Sequence, residues 1–343
     1  MQNGHDGIEV RRIAGSLGAE ILNVDLKTLD DATTKQIQQA FLEHKVIFFR
    51  KQDLEPQQFL DFAAIFGSPV EYPFVKGIDG YPEIIQVLKQ EHETINFGGV
   101  WHADTTYLPE PPKATILLAR EVPPFGGDTL FADQAAAFEG LSDGLKTTLS
   151  NLHGISSSAK ADASKTREDR IKDSGTKSKD LEACHPAVRT HPETGRKNLY
   201  VNVAHTVRFD GWTEAESQPL LKYLFEHQVR PEYTCRFRWE RSSIAMWDNA
   251  NVLHNPVNVS KLMGVTLGCV PSQDRPPSSY KLRSSVSACY LGGFGQRYLA
   301  ASEKHASYYP GRGQASLRIV VLPIQLVGEL VVMSAPVEGL DVI

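Results

Sequence analysis

The sequence predicts a mainly β protein with flanking helices, an α+β chain, on three observations. Short apolar runs rich in β-branched and aromatic residues, such as Lys45-Val-Ile-Phe-Phe, read as buried strands. Turns marked by glycine and proline separate them, and the chain carries 26 and 20 of these. Helical spacing of apolar residues is confined to a few stretches: 33–44, where Ile37, Ala40 and Phe41 share a face, 56–66, which Gly67 ends, and 214–228.

Along the chain, residues 8–13 read as a strand, and 19–24 as a second apolar segment. Further strands are expected at 84–88, 114–119, 235–239 and 244–247, with another apolar segment at 199–203. Residues 156–180 are polar and charged, and read either as a surface insertion or as a lid over an active site. From Val259 onward the composition changes. The tail 259–343 holds 8 of the 36 basic and 5 of the 41 acidic residues, so the charge sign flips there, and an apolar stretch, 317–333, lies near its end. The expected division is a domain at 1–258 and an atypical tail at 259–343.

With 343 residues and 41% hydrophobic content, the chain can bury one large core or two small ones. No apolar run reaches the length of a membrane span and the first residues lack an apolar signal region, so neither a membrane partner nor export is expected. A formal net charge of −5 gives no reason to expect nucleic acid. Cys184, Cys235, Cys269 and Cys289 are widely spaced and form no CxxC pair, which fits a reducing cytoplasm. The expected partner is a small molecule, and a homo-oligomer is left open.

The chemistry-bearing motif is Gly99-Val-Trp-His102-Ala-Asp104-Thr-Thr. On a strand, residues i and i+2 face the same way, so an imidazole and a carboxylate two apart can meet one metal. His254, after the segment Ile244-Ala-Met-Trp-Asp-Asn-Ala-Asn-Val-Leu, is the candidate third ligand. Two histidines and one carboxylate on one face of an octahedron leave open positions, as in non-haem Fe(II) oxygenases. HxD alone is weak evidence, because on that pattern His102 reads more readily as an ordinary satisfied histidine.

The flanking text is more specific. The stretches WHADTTYLPEPPKATILLAREVPPFGGDTLFAD (101–133), HPAVRTHPETGRKNLYVN (185–202) and WDNANVLHNPVN (247–258) resemble the taurine dioxygenase / 2,4-dichlorophenoxyacetate dioxygenase family. The resemblance covers residues 7–258. It implies a double-stranded β-helix (jelly roll) and a dioxygenase using Fe(II), 2-oxoglutarate and O2, with release of succinate and CO2. It implies His102, Asp104 and His254 as iron ligands, and Thr129 as the contact to a carboxylate of 2-oxoglutarate. Without the resemblance, Thr129 reads as a strand residue after a Gly-Gly turn. Asp248, close before His254, is expected to act either as a partner of a ligand or as a turn former.

Two departures stand against the likeness. The family places an arginine about eleven residues beyond the distal histidine, on the far carboxylate of 2-oxoglutarate, and a second about four further on. Here those positions hold Val265 and Cys269, and no arginine occurs between His254 and Arg275. Either the tail is out of register through a frameshift or retained intron, which leaves the jelly roll incomplete at its C-terminal end, or Arg275 or Arg283 supplies the link. The substrate pocket differs too. Tyr72 and Val75 stand where the taurine enzymes hold the sulfonate, Asn96 lies near their asparagine position, taken here by Gly98, and His205 replaces a pocket aromatic. His205 reads equally well as a solvated loop histidine. The expectation is a small organic substrate other than taurine, with two rivals: a metal-binding relative without the co-substrate arginine, and a cupin-like metal enzyme that does not use 2-oxoglutarate.

Overall fold

A computed structural model describes residues 7–74, 77–89, 98–160, 180–257 and, for the backbone, 317–325. The first layer begins with β1 (Glu9–Arg12) and β2 (Ala19–Leu22), joined as an antiparallel pair. Helix α1 (Asp31–His44) follows. Its N-cap Asp30 accepts from Thr33 N, and Ile37, Ala40, Phe41 and His44 are buried. Lys45 ends it in the left-handed region at φ 64, and the chain enters β3 (Val46–Phe49), which is buried throughout. Next come α2 (Pro56–Ala64), β4 (Ser68–Pro69), β5 (Ile85–Lys89), β6 (Ala114–Glu121) and β7 (Thr129–Asp133).

The second half holds α3 (Gln134–Glu139), α4 (Asp143–Leu149), β8 (His153–Ser157), β9 (Glu182–Pro186), β10 (Val188–Thr190), β11 (Lys197–Leu199) and β12 (Thr206–Phe209). Helix α5 (Glu214–His227) opens with a capping box between Thr213 and Glu216. Then come β13 (Thr234–Phe237), β14 (Ile244–Asp248), β15 (Val252–Pro256) and β16 (Leu317–Gln325).

An eight-stranded sheet runs β1-β2-β3-β14-β6-β16-β4, with β5 on β16. A smaller sheet, β13-β7-β15, lies against it. The two touch through aromatic rings: Phe48 of β3 stacks on Phe237 of β13 at 4.0 Å, and Phe131 of β7 lies 5.6 Å from both Phe48 and Trp247 of β14. Two sheets closing over one aromatic core make the mainly β jelly roll with helices outside. Among the described residues no helix is long and apolar enough to cross a membrane.

Two expectations need correction. The segment 156–180 does not begin as a loop, because Ser156 and Ser157 are buried in β8 and pair with β9. Residues 161–179 lie outside the described residues, and with them the lid reading. The apolar segment expected at 199–203 is buried from Leu199 to Val201, with strand β11 ending at Leu199. It runs into a turn in which Thr206 N donates to Asn202 O at 3.0 Å. The tail supplies a strand to the large sheet: β16 pairs along β6 from Arg318 to Ile324, so β6 is not left as an open edge there.

Candidate metal centre

His254 lies in β15, the middle of a strand rather than the end of a turn, opposite Phe131 of β7. His102 reaches it through a two-way backbone bridge: His102 N donates to His254 O at 3.0 Å, and His254 N donates to His102 O at 2.8 Å. This bridge brings the two imidazoles together, tilted by 46° with centroids 4.0 Å apart. Asp104 is not on a strand, as the i, i+2 argument assumed. The chain turns directly after it, through Thr105 at φ 48, and the turn carries the carboxylate inward. Ligand-type atoms of His102, Asp104 and His254 all lie within 4.8 Å of one another, and all three residues are buried.

The donor set fits a metal ion. His102 Nδ1 sits 2.7 Å from Val100 O, an atom that only accepts, so Nδ1 carries the proton and the Nε2 lone pair is left for the site. Asp104 Oδ1 stands 3.5 Å from His102 Nε2 and 3.9 Å from His254 Nε2. Its other oxygen accepts from Thr115 Oγ1 at 2.6 Å. Burial on its own would raise the Asp104 carboxyl. The neighbouring His254, the hydrogen bond and charge of His102, and the Thr115 hydroxyl outweigh it and hold the group well below the usual carboxylate range. Burial, and then the charge of His102, push His254 down to about 3 against the pull of Asp104. An ionised carboxylate beside neutral imidazoles is the protonation state a metal needs.

His254 Nδ1 is buried without a hydrogen-bond partner among the described residues. Its ring is held instead by aromatic packing, 4.5 Å from Trp247 and 6.4 Å from Phe131. Gly98 stands close to His102. At φ +68, an added Cβ would come within 2.7 Å of His102 Cε1, so only glycine leaves room for the ring.

Thr129 begins β7 and pairs with Pro256, while Phe131 pairs with His254. Thr129 therefore shares a sheet face with His254, two pairs along. Trp239 Nε1 donates to its Oγ1 at 3.0 Å, which leaves the hydroxyl proton for another acceptor. His205 is not a solvated loop residue. It is buried, its ring lies edge-on to His102 at 6.1 Å, and its Nδ1 meets Thr106 Oγ1 at 3.0 Å. Tyr72 is buried farther off, with the rings of Phe74 and Tyr107 between it and His205. Asn96, Val75, Val265, Cys269, Arg275 and Arg283 lie outside the described residues.

Asp248 is a turn former and not a partner of a metal ligand. It accepts from Ala250 N and Asn251 Nδ2, and it pairs with buried His191 at 2.9 Å. Its neighbour Asn249 is the residue that reaches toward Asp104, by way of Thr115. Sequence reasoning missed Thr115, whose only signal is being the lone polar residue in the apolar run of β6. It missed Thr106 as well.

A jelly roll that gathers two imidazoles and a carboxylate beneath its smaller sheet is the scaffold of a metal-dependent oxygenase. The profile described as "Taurine catabolism dioxygenase TauD, TfdA family" matches residues 9–259, and the chain belongs to that family. It is 35% identical over 266 residues to an "Alkylsulfatase" of Acinetobacter baylyi, covering 75% of this chain and 82% of that one. It is 37% identical over 260 residues to an "Alpha-ketoglutarate-dependent sulfate ester dioxygenase" of Pseudomonas putida, covering 73% and 84%. Among solved structures, a taurine dioxygenase from Burkholderia xenovorans is 29% identical and superimposes with a TM-score of 0.66, over 92% of this chain and 90% of that one. As a family member the chain is an enzyme, a 2-oxoglutarate-dependent dioxygenase that requires Fe(II) and O2.

Proposed function

We propose that the chain oxidises a small sulfate ester, with His102, Asp104 and His254 holding Fe(II) and Thr129 donating to a carboxylate of 2-oxoglutarate. The convergence of those three buried ligand side chains carries the reading of the metal site. When bound, iron with 2-oxoglutarate and O2 supplies hydrogen-atom removal and hydroxyl return to a carbon, releasing succinate and CO2. The protein holds Asp104 ionised, keeps the His254 imidazole neutral and shields the centre within the aromatic core.

The substrate class rests on the relatives named for sulfate esters, at 35% and 37% identity over about three quarters of the chain. His205 and Tyr72 are assigned to the substrate side, with Asn96 as a further contact. Hydroxylating the carbon that bears the ester oxygen gives a hemiacetal-type product, which collapses to an aldehyde and sulfate. We also assign catalysis to 1–258 and read 259–343 as an appended tail whose contribution is β16. No arginine stands between His254 and Arg275, and that absence favours one second reading, a metal-binding relative that holds 2-oxoglutarate poorly.

One experiment separates these readings. Full-length protein is loaded anaerobically with Fe(II) and 2-oxoglutarate, then given oxygen and a panel of alkyl sulfates, sulfonates and aryloxy carboxylates. A visible charge-transfer band, succinate, and equal aldehyde and sulfate from alkyl sulfates are expected. Asp104→Ala should lose iron uptake and succinate together. Taurine as the best substrate would overturn the sulfate-ester assignment, and iron bound without the band would establish the second reading.

A further inference from the structure

Four buried residues around the Asp104 carboxylate form a hydrogen-bond series whose direction is fixed at every step. Trp247 Nε1, which can only donate, gives its proton to Asn249 Oδ1 at 3.1 Å. The backbone N–H of Asp104 also points at that oxygen, at 3.5 Å. Two donors aimed at one end of the Asn249 side chain rule out a flipped amide, so the NH2 group faces the other way. It donates to Thr115 Oγ1 at 2.8 Å. A hydroxyl has one proton, and with its oxygen already accepting, Thr115 turns that proton toward Asp104 Oδ2 at 2.6 Å. Exposure along the series is 2% at Trp247, 1% at Asn249, 0% at Thr115 and 1% at Asp104, so water does not compete. The sheet itself sets the spacing: Trp247 of β14 is the register partner of Thr115 of β6.

We propose that Trp247, Asn249 and Thr115 are positioning residues that commit Asp104 Oδ2 to the protein and so present Oδ1 to the metal. Asp104 is then a one-oxygen ligand by construction. Oδ1 is the atom that faces both imidazoles, at 3.5 and 3.9 Å. A carboxylate free at both oxygens can swing and grip an ion with both, which occupies a coordination position that a co-substrate and oxygen need. The donor series removes that freedom before any ion arrives, and it stabilises the ionised carboxylate in a buried place. This inference rests on the metal reading of the same three ligands.

Cobalt(II), added anaerobically to the full-length chain, provides a test that does not depend on turnover. Thr115→Val keeps the shape and deletes the donor, whereas Thr115→Ser restores it. The valine variant should bind cobalt about tenfold more weakly or worse, the usual reach of groups behind a metal ligand, with a changed visible ligand-field spectrum. The serine variant should match the parent in both. A folded valine variant with parental affinity and spectrum overturns the proposal, as does a serine variant that behaves like the valine one. If the valine variant does not fold, Asn249→Ala removes the middle link of the series and leaves the rings around His254 in place: a shifted cobalt spectrum is expected, and an identical one overturns the series. A parent chain that takes up no cobalt defeats the metal reading and this inference with it. A parent that binds beside an unaltered valine variant defeats this inference alone.

Discussion

Asp104 and His254 converge on one point from opposite kinds of support. Asp104 sits in an irregular turn and is placed by directional polar contacts from β6 and the 249–251 turn. His254 sits in a regular strand, placed by ladder pairing with β7 and by the rings of Trp247 and Phe131, with no partner on Nδ1 among the described residues. The contrast follows from the backbone. A strand already fixes where its side chain points, so packing is enough to hold the ring. A turn fixes much less, and a charged group in a dry interior needs hydrogen bonds both to stay and to point. Polar support should therefore govern affinity for the ion, and apolar support should govern stability of the fold.

The strongest way to break that division is Phe131→Ala. Phe131 is fully buried between the sheets and touches Phe48, Trp247 and His254. Its removal should cost about 3–5 kcal/mol of folding stability, measured by urea unfolding of metal-free protein. Thr115→Val should cost much less in the same measurement while harming cobalt affinity. Equal losses of stability in the two variants would erase the distinction between packed and hydrogen-bonded ligands.

A smaller effect is expected at the third ligand. Gly98→Ala adds one methyl group, but at φ +68 with His102 Cε1 only 2.7 Å away. Left-handed backbone strain costs about 1 kcal/mol, and the imidazole must move as well. Metal affinity should fall by roughly tenfold for a displaced ligand, with a modest drop in melting temperature. Unchanged affinity would mean that the loop at Gly98 yields and the ring does not.

Legibility in the sequence followed the same division. Apolar runs such as 46–49 and 114–119 revealed their strands, because a short run of β-branched and bulky apolar residues is a local signal. His102 and Asp104 were legible as a pair because they are neighbours in sequence, yet their geometry was misjudged, since nothing local announces the positive φ of Thr105. His254 was only a candidate by its position and became specific through the family likeness, because its bridge to His102 joins distant parts of the chain. Thr115 and Asn249 were not legible as partners: the bond between them joins residues 134 positions apart. Asp248 attracted attention as the charged residue near His254, but the neutral amide beside it makes the connection to Asp104. His205 could not be placed in sequence between pocket and solvent, and its burial removes the solvated reading.

The smallest effect concerns acid. His185 Nε2 lies 2.9 Å from Thr106 O and 3.0 Å from Leu108 O, so it pins the loop that follows Asp104. Burial, and then the charge of Arg189, lower its pKa against the pull of those two carbonyls. The folded protein therefore prefers neutral His185, whereas the unfolded chain takes up a proton near the ordinary histidine value of about 6.5. Below that pH the unfolded state binds more protons, so the stability gained from neutral His185 is present above about 6.5 and is lost as pH falls toward the lowered folded value. His254 and His44 shift the same way, chiefly through burial, and add to the same slope. His185→Gln removes one titrating group and can keep a donor for the loop. Urea unfolding of metal-free protein at pH 7.5 and 5.5 should show a drop for the parent, reduced in this variant by no more than one proton's worth. An identical drop would place the acid sensitivity in His254 and His44, and none of it in the loop beside the carboxylate.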